Sequence, residues 1–162
     1  MQANPELLLV DDNNSDVKLT LHAMQQFGAI TKVAVVRDGE EALEFLFGRG
    51  RYIASHRPLS LRLILLDLKL PKINGFEVLR AIKADDSTRS IPVVVLTSSN
   101  QERDLIESYE LGANSYVQKP VDFDLFATVV RKIRDYWLSV NLMPRLSHSA
   151  DIDAPDSGRS SD

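Results

Sequence analysis

The chain has 162 residues, with 19 Lys plus Arg against 23 Asp plus Glu, a formal net charge of −4 and no Cys. That length buries a proper core within one domain, the missing Cys excludes disulfides, thiolate metal sites and cysteine nucleophiles, and the acidic balance argues against charge-driven nucleic-acid binding. No apolar segment approaches the ~20 residues that cross a bilayer, and no basic-then-apolar leader opens the chain, so the expectation is a cytoplasmic domain without membrane contact.

Glu6 to Val10 is an apolar run stopped by Asp11-Asp12-Asn13-Asn14 and predicts a first strand. Ser15 then caps a helix carrying Val17, Leu19, Leu21, Met24 and Phe27, which Gly28 ends. Lys32 to Val36 predicts the second strand, and Asp38-Gly39 opens a helix with Ala42, Leu43, Phe45 and Leu46 inward. A long connection, Gly48 to Ser60, carries Arg49, Arg51, His56 and Arg57. It reads as a solvated loop, with partner docking as the alternative. Leu61 to Leu66 is the third strand, followed at Asn74-Gly75 by a helix with Phe76, Val78, Leu79 and Ile82. Pro92 to Leu96 is the fourth, and Asn100 opens a helix that stops near Leu111-Gly112. Ser115 to Gln118 is the fifth, and Asp122 starts a long helix reaching about Val140. Residues 5–144 make one domain, and 145–162, rich in Ser and Asp, read as a disordered polar tail.

The strand runs do not alternate polar with apolar, which is the signature of strands buried on both faces of a parallel sheet. Five such strands alternating with five helices predict an α/β, doubly wound, five-stranded sheet, with the flavodoxin-like order 2-1-3-4-5 among the few permitted topologies.

In such a sheet, functional groups gather beyond the carboxyl ends of the strands. Here those ends carry Asp11-Asp12, Asp67, Thr97-Ser98 and Lys119-Pro120. Each alone has a plainer reading. An Asp-Asp pair is a turn or a cap, Thr97 a cap, and Lys119-Pro120 a loop. Their conjunction, each on a different strand, points to a shared crevice. Packed carboxylates raise one another's pKa unless a cation joins them, and an oxygen-only ligand set suits Mg2+, with Mn2+ as the substitute. A Lys and a Thr hydroxyl facing them would grip phosphoryl oxygens, so the natural chemistry is phosphoryl transfer onto a carboxylate.

With Leu-Leu-Val-Asp-Asp at 8–12, Leu-Leu-Asp-Leu-Lys-Leu-Pro at 65–71, Asn-Gly at 74–75, Val-Val-Leu-Thr-Ser at 94–98 and Gly-Ala to Lys-Pro at 112–120, the chain resembles a response-regulator receiver domain over about residues 5–140. The resemblance implies that Asp67 is the phosphorylated nucleophile. Asp12 and, mainly through water, Asp11 would hold Mg2+, completed by the backbone carbonyl of Lys69. Thr97 and Lys119 would contact the phosphoryl oxygens, Tyr116 would turn inward as Thr97 moves, and the bond before Pro120 would be cis. Lys69, two residues past the acceptor, stands where family members vary, and phosphoryl lifetime is tuned there.

The long 48–60 connection, the 67–75 segment and the extension from Asp135 to Pro144 make the chain most similar to stand-alone regulators of phytochrome-type histidine kinases. The implied partner is a sensor histidine kinase. The last helix shows Phe126, Val130, Ile133, Trp137 and Val140 as a stripe, which reads first as core. Its final turns, with Tyr136, Trp137 and Leu138, suggest an apolar surface for a homodimer through the fourth helix, fifth strand and fifth helix, with Phe126 included. Three alternatives stand behind the switch reading: a Mg-dependent aspartyl phosphatase on small molecules, a flavodoxin-like cofactor binder, and a phosphate-sink or relay receiver. The phosphatase class usually has a second acid where this chain has Lys69, and the cofactor binder would need a Gly-rich or Ser/Thr-rich loop after the first strand.

Overall fold

The structure, a computed structural model, describes residues 4–28, 31–53 and 60–144. Five strands, β1 (Leu7–Val10), β2 (Val33–Val36), β3 (Leu63–Leu66), β4 (Val93–Thr97) and β5 (Ser115–Gln118), form one sheet in the order β2-β1-β3-β4-β5. Every neighbouring pair is parallel. The helices are α1 (Asn14–Met24), α2 (Gly39–Phe47), α3 (Gly75–Ala84), α4 (Glu102–Glu110) and α5 (Phe123–Asp135). The doubly wound order expected from the sequence is the one observed.

All residues of the central strands β1, β3 and β4 are buried. Their side chains alternate between two cores. Leu8, Val10, Ile64, Leu66, Val93 and Val95 meet Ala42, Leu46, Val78, Leu79 and Ile82 from α2 and α3. Leu7, Leu9, Leu63, Leu65, Val94 and Leu96 meet Val17, Ala23 and Met24 of α1 and Phe126, Val130 and Ile133 of α5. Two helical layers therefore cover the sheet, and polar groups are pushed to its ends.

Four helices start on a side chain that accepts from the amide three residues on. Asn13 accepts from Asp16 (3.0 Å), Asp38 from Glu41 (2.7 Å), Asn74 from Glu77 (3.0 Å) and Asp122 from Leu125 (2.9 Å). The first helix thus starts one turn-half earlier than Ser15, because it is Asn13 that reaches the free amide. The fourth is flanked by Gln101, with no capping bond of its own, rather than by Asn100. The last helix reaches Val140 as expected, but its end, Tyr136–Val140, is a π-turn, closed by Asn141 N–H on the Tyr136 carbonyl at 2.7 Å.

Part of the long connection is described. A 3-10 turn, Gly50–Tyr52, lies on α2, where the Tyr52 hydroxyl donates to Glu41 at 2.9 Å and its ring meets Phe45 edge-on. Arg51 pairs with Glu41 at 3.5 Å. His56 and Arg57 of the expected basic cluster, and the tail 145–162, lie outside the described residues.

Phe126 requires a correction. It is 2 % exposed and packs in the core beneath α1 and α5, so it belongs to no dimer surface. Its stripe faces the sheet, and only Val140 at the end of that stripe is exposed. Trp137 and Leu138 are half-buried against the same core, while Tyr136 is half-exposed.

Candidate functional site at the carboxyl edge of the sheet

The parallel ladder runs one residue past the strands and sets the site. Asp11 N–H donates to the Val36 carbonyl (3.1 Å), Asp67 N–H to Val10 (3.0 Å) and Lys119 N–H to Thr97 (2.7 Å). Each residue after a strand is thus held by its neighbour's end, and side chains from positions 11, 67 and 119 meet over one edge.

Lys119 lies at the centre, its side chain 7 % exposed. Its Nζ donates to Asp11 Oδ2 at 2.8 Å, Asp16 Oδ2 at 2.9 Å and Asp67 Oδ2 at 3.0 Å. All three ammonium hydrogens are used. Burial alone would lower the Lys119 pKa, but the Asp67 charge and the hydrogen bonds to Asp11 and Asp16 outweigh it, and the net shift is upward. Asp11 is shifted upward too, chiefly by burial; Lys119 and the Asn13 N–H (2.9 Å to Oδ1) pull the other way. Lys119 is charged at neutral pH.

Asp11, Asp12 and Asp67 each offer a carboxylate oxygen within 4.8 Å of the others. Asp12 is exposed, whereas Asp11 and Asp67 are buried. Three hard oxygen donors with no nitrogen or sulfur among them, one at the solvent edge, fit a divalent ion that keeps part of its water shell.

The remaining expected residues surround this centre. Thr97 ends β4, beside the strand that leads to Asp67; it is fully buried, and its Oγ1 accepts from Ser99 N–H at 3.3 Å. Tyr116, on β5, is half-buried against the α3-side core, and its hydroxyl donates to the Ser99 carbonyl at 3.2 Å. Thr97 and Tyr116 therefore share the segment around Ser99. Lys69 is exposed, and its N–H donates to Asp67 Oδ1 at 3.3 Å.

The bond before Pro120 is a correction, since no described peptide bond is cis. The trans form is the lower-energy isomer of such a bond. Lys119 is instead positioned by its ladder bond to Thr97 and by three carboxylates.

The loop after Asp67 closes tightly on it. Gly75 N–H donates to the Leu68 carbonyl at 2.9 Å, and a Cβ on Gly75 would stand 2.4 Å from the Asp67 carbonyl oxygen and 2.5 Å from Leu68 Cα. Both clashes are with backbone. Gly75→Ala is expected to destabilise the protein by about 2 kcal/mol and to disturb the acceptor loop, checked by urea unfolding.

Asp16 is the site residue that sequence reasoning missed. A first-turn acid normally serves the helix dipole, and its only sequence signal is its place one turn after Asp12. Sequence reasoning also missed Arg134, a buried cation on α5.

Residues 7–131 match the family model described as the response regulator receiver domain. The chain is 39% identical over 145 residues to the response regulator Rcp1 of Synechocystis, covering 88% of this chain and 97% of that protein. It is 40% identical over 141 residues to the "Probable methanogenesis regulatory protein FilR2" of Methanothrix harundinacea, covering 85% and 86%. Its fold superimposes with a TM-score of 0.81 and 40% identity on the phosphorylated cyanobacterial phytochrome response regulator RcpA, covering 88% of this chain and 99% of that one. Rcp1 has also been solved in a Mn2+-bound form, which superimposes with a TM-score of 0.78 at 38% identity, covering 86% and 99%. A parallel sheet in this order, acids after its first and third strands, a lysine after its fifth, and a family match across most of the chain together make this protein a response regulator receiver domain.

Proposed function

We propose that Asp67 accepts a phosphoryl group from a sensor histidine kinase in the cytoplasm, and that the chain passes this signal on through its surface. The observation that carries this reading is Lys119 Nζ held at 3.0 Å from Asp67 and 2.8 Å from Asp11, beside the Asp11-Asp12-Asp67 triad. An Asp67 carboxylate oxygen forms the new P–O bond while the P–N bond to the donor imidazole breaks, and the imidazole leaves with the electron pair. Asp11, Asp12 and Asp67, with the Lys69 carbonyl, would hold Mg2+, or Mn2+ in its place. Such an ion, when bound, offsets the charge that the transferring group brings. Lys119 gives up its hydrogen bond to Asp67 and redirects that N–H to a phosphoryl oxygen.

The acyl phosphate adds close to one further negative charge to the acceptor. Thr97 then turns its hydroxyl to donate to a phosphoryl oxygen and loosens its hold on Ser99 N–H. That shift moves the segment to which the Tyr116 hydroxyl is also bonded, so Tyr116 can turn inward. Two states with different contacts at one surface result.

The likeness to the phytochrome response regulator RcpA supports a phytochrome-type kinase as the donor. We read the output as homodimerisation through α4, β5 and α5. Leu105, Ile106 and Tyr109 on α4 are exposed, β5 is one of the sheet's two edge strands, and Tyr136 is half-exposed past α5. Sedimentation is expected to show a dimer at tens of micromolar, and a monomer with and without a phosphoryl mimic would remove this output.

Asp67→Asn is expected to abolish acid-labile labelling by acetyl phosphate with Mg2+ while leaving the fold intact. Labelling that survives in this variant overturns the acceptor assignment. Phosphotransfer profiling against the organism's histidine kinases then identifies the donor.

A further inference from the structure

We propose that Asp16 is a positioning residue for phosphoryl transfer, holding the Lys119 ammonium beside Asp67 while its two other partners change state. This rests on the acceptor reading of Asp67. An ammonium has three hydrogens, and Lys119 places one on each of Asp11, Asp16 and Asp67. Two of these acceptors belong to the Asp11-Asp12-Asp67 triad, and Asp16 stands outside it. During transfer, Asp67 becomes the acyl phosphate and its oxygen is no longer a free carboxylate. Asp11 is a member of the donor set for the divalent ion, so its oxygens are shared with a second cation. Asp16 has neither fate.

Its placement suits an anchor. The Asp16 N–H is fixed at 3.0 Å on the Asn13 side chain, so the first turn of α1 starts in one register. From that turn the Asp16 carboxylate reaches Lys119, which is 103 residues away in sequence. Lysine is a point charge on a flexible four-carbon stem, and without a fixed anion its position is set only by groups that the reaction alters. Asp16 therefore keeps one Lys119 hydrogen occupied throughout and leaves the one on Asp67 free to follow the phosphoryl oxygens. A role confined to the helix dipole would act on α1 alone and not through Lys119.

The test is the rate of labelling of the full chain by radiolabelled acetyl phosphate with Mg2+, in native and Lys119→Ala backgrounds. Asp16→Asn is expected to slow labelling by about tenfold in the native background, with Asp16→Glu recovering most of that loss. In the Lys119→Ala background, the same Asp16→Asn change is expected to alter the rate by less than about twofold, because the two residues act as one unit. Equal losses in both backgrounds, or a native-background change within about twofold, overturn the positioning role. Native protein that takes no label, or Asp67→Asn that does, overturns the acceptor reading and this inference with it. Normal native labelling that ignores Asp16 removes the positioning role alone.

Discussion

Lys119→Met is expected to destabilise the fold by about 3 kcal/mol at neutral pH, the scale for breaking a buried ion pair by removing one partner. The lost ammonium leaves Asp11 and Asp67 buried, and Asp16 beside them, without the cation that bonds all three. The sign of the pH dependence follows from Asp11. Its folded pKa already lies above the ordinary value, and Lys119 supplies two of the influences that hold it down. Removing Lys119 raises it further. A carboxyl with a raised folded pKa adds stability below its unfolded pKa and loses it as pH rises through the folded one. The deficit of the variant is therefore full at about pH 7 and shrinks as the pH falls toward about pH 4. A divalent ion in the triad replaces the missing positive charge, so millimolar Mg2+ should recover more stability in the variant than in the native chain. Urea unfolding at both pH values, with and without Mg2+, measures all three effects. A deficit that is the same at both pH values would show that lost packing, not charge, is the cause.

Arg134→Met is expected to cost about 2–3 kcal/mol by a different route. Arg134 is buried on α5, and its guanidinium Nη1 donates to the carbonyls of Ala23 (3.0 Å), Met24 (3.4 Å) and Gln26 (2.9 Å), with Nε on Asp135 at 2.9 Å. Those carbonyls lie at and just past the end of α1, where the helix dipole is negative; Ala23 has only a long backbone bond from Gln26 N–H (3.4 Å) and Met24 a bond from the Thr31 hydroxyl (3.3 Å). Methionine fills the stem's volume but supplies no donor. The loss should be independent of Mg2+ and unchanged across the same pH range. Hydrogen exchange should speed up at the end of α1, and a loss below about 0.5 kcal/mol would show that water replaces the guanidinium.

The sheet was legible because its strands announce themselves. Leu-Leu-Leu-Val, Leu-Ile-Leu-Leu and Val-Val-Val-Leu have no polar face, so a parallel sheet covered on both sides is the only arrangement that hides them. Asp11 and Asp67 were legible for the same reason, since each follows such a run directly; Lys119 follows the half-exposed Ser-Tyr-Val-Gln of β5 and was legible only in conjunction with the other strand ends. Helix starts were harder. Asn13, Asn14 and Ser15 can all cap, and only the reach to the Asp16 amide decides among them. Phe126 was misplaced because periodicity shows that a stripe exists, not how far it extends beneath a neighbouring helix; α1 covers that part of α5. Asp16 and Arg134 were invisible for a shared cause. An acid in a first turn and an arginine in a last turn are ordinary surface choices, and their partners lie more than a hundred residues away.

The contacts of Lys119 span 108, 103 and 52 residues of chain, which has a consequence for how the molecule assembles. Local turns and helices form early, and pairings this distant in sequence come late. The acids of positions 11 and 67 are gathered by a pairing as distant in sequence as the one that brings in Lys119, so the ion set closes late and as a whole. Any arrangement that brings those acids together without β5 carries a self-repelling edge. Lys119 with all three acids in reach is thus the mark of a completed sheet, because that contact exists only when β1, α1, β3 and β5 are all in place.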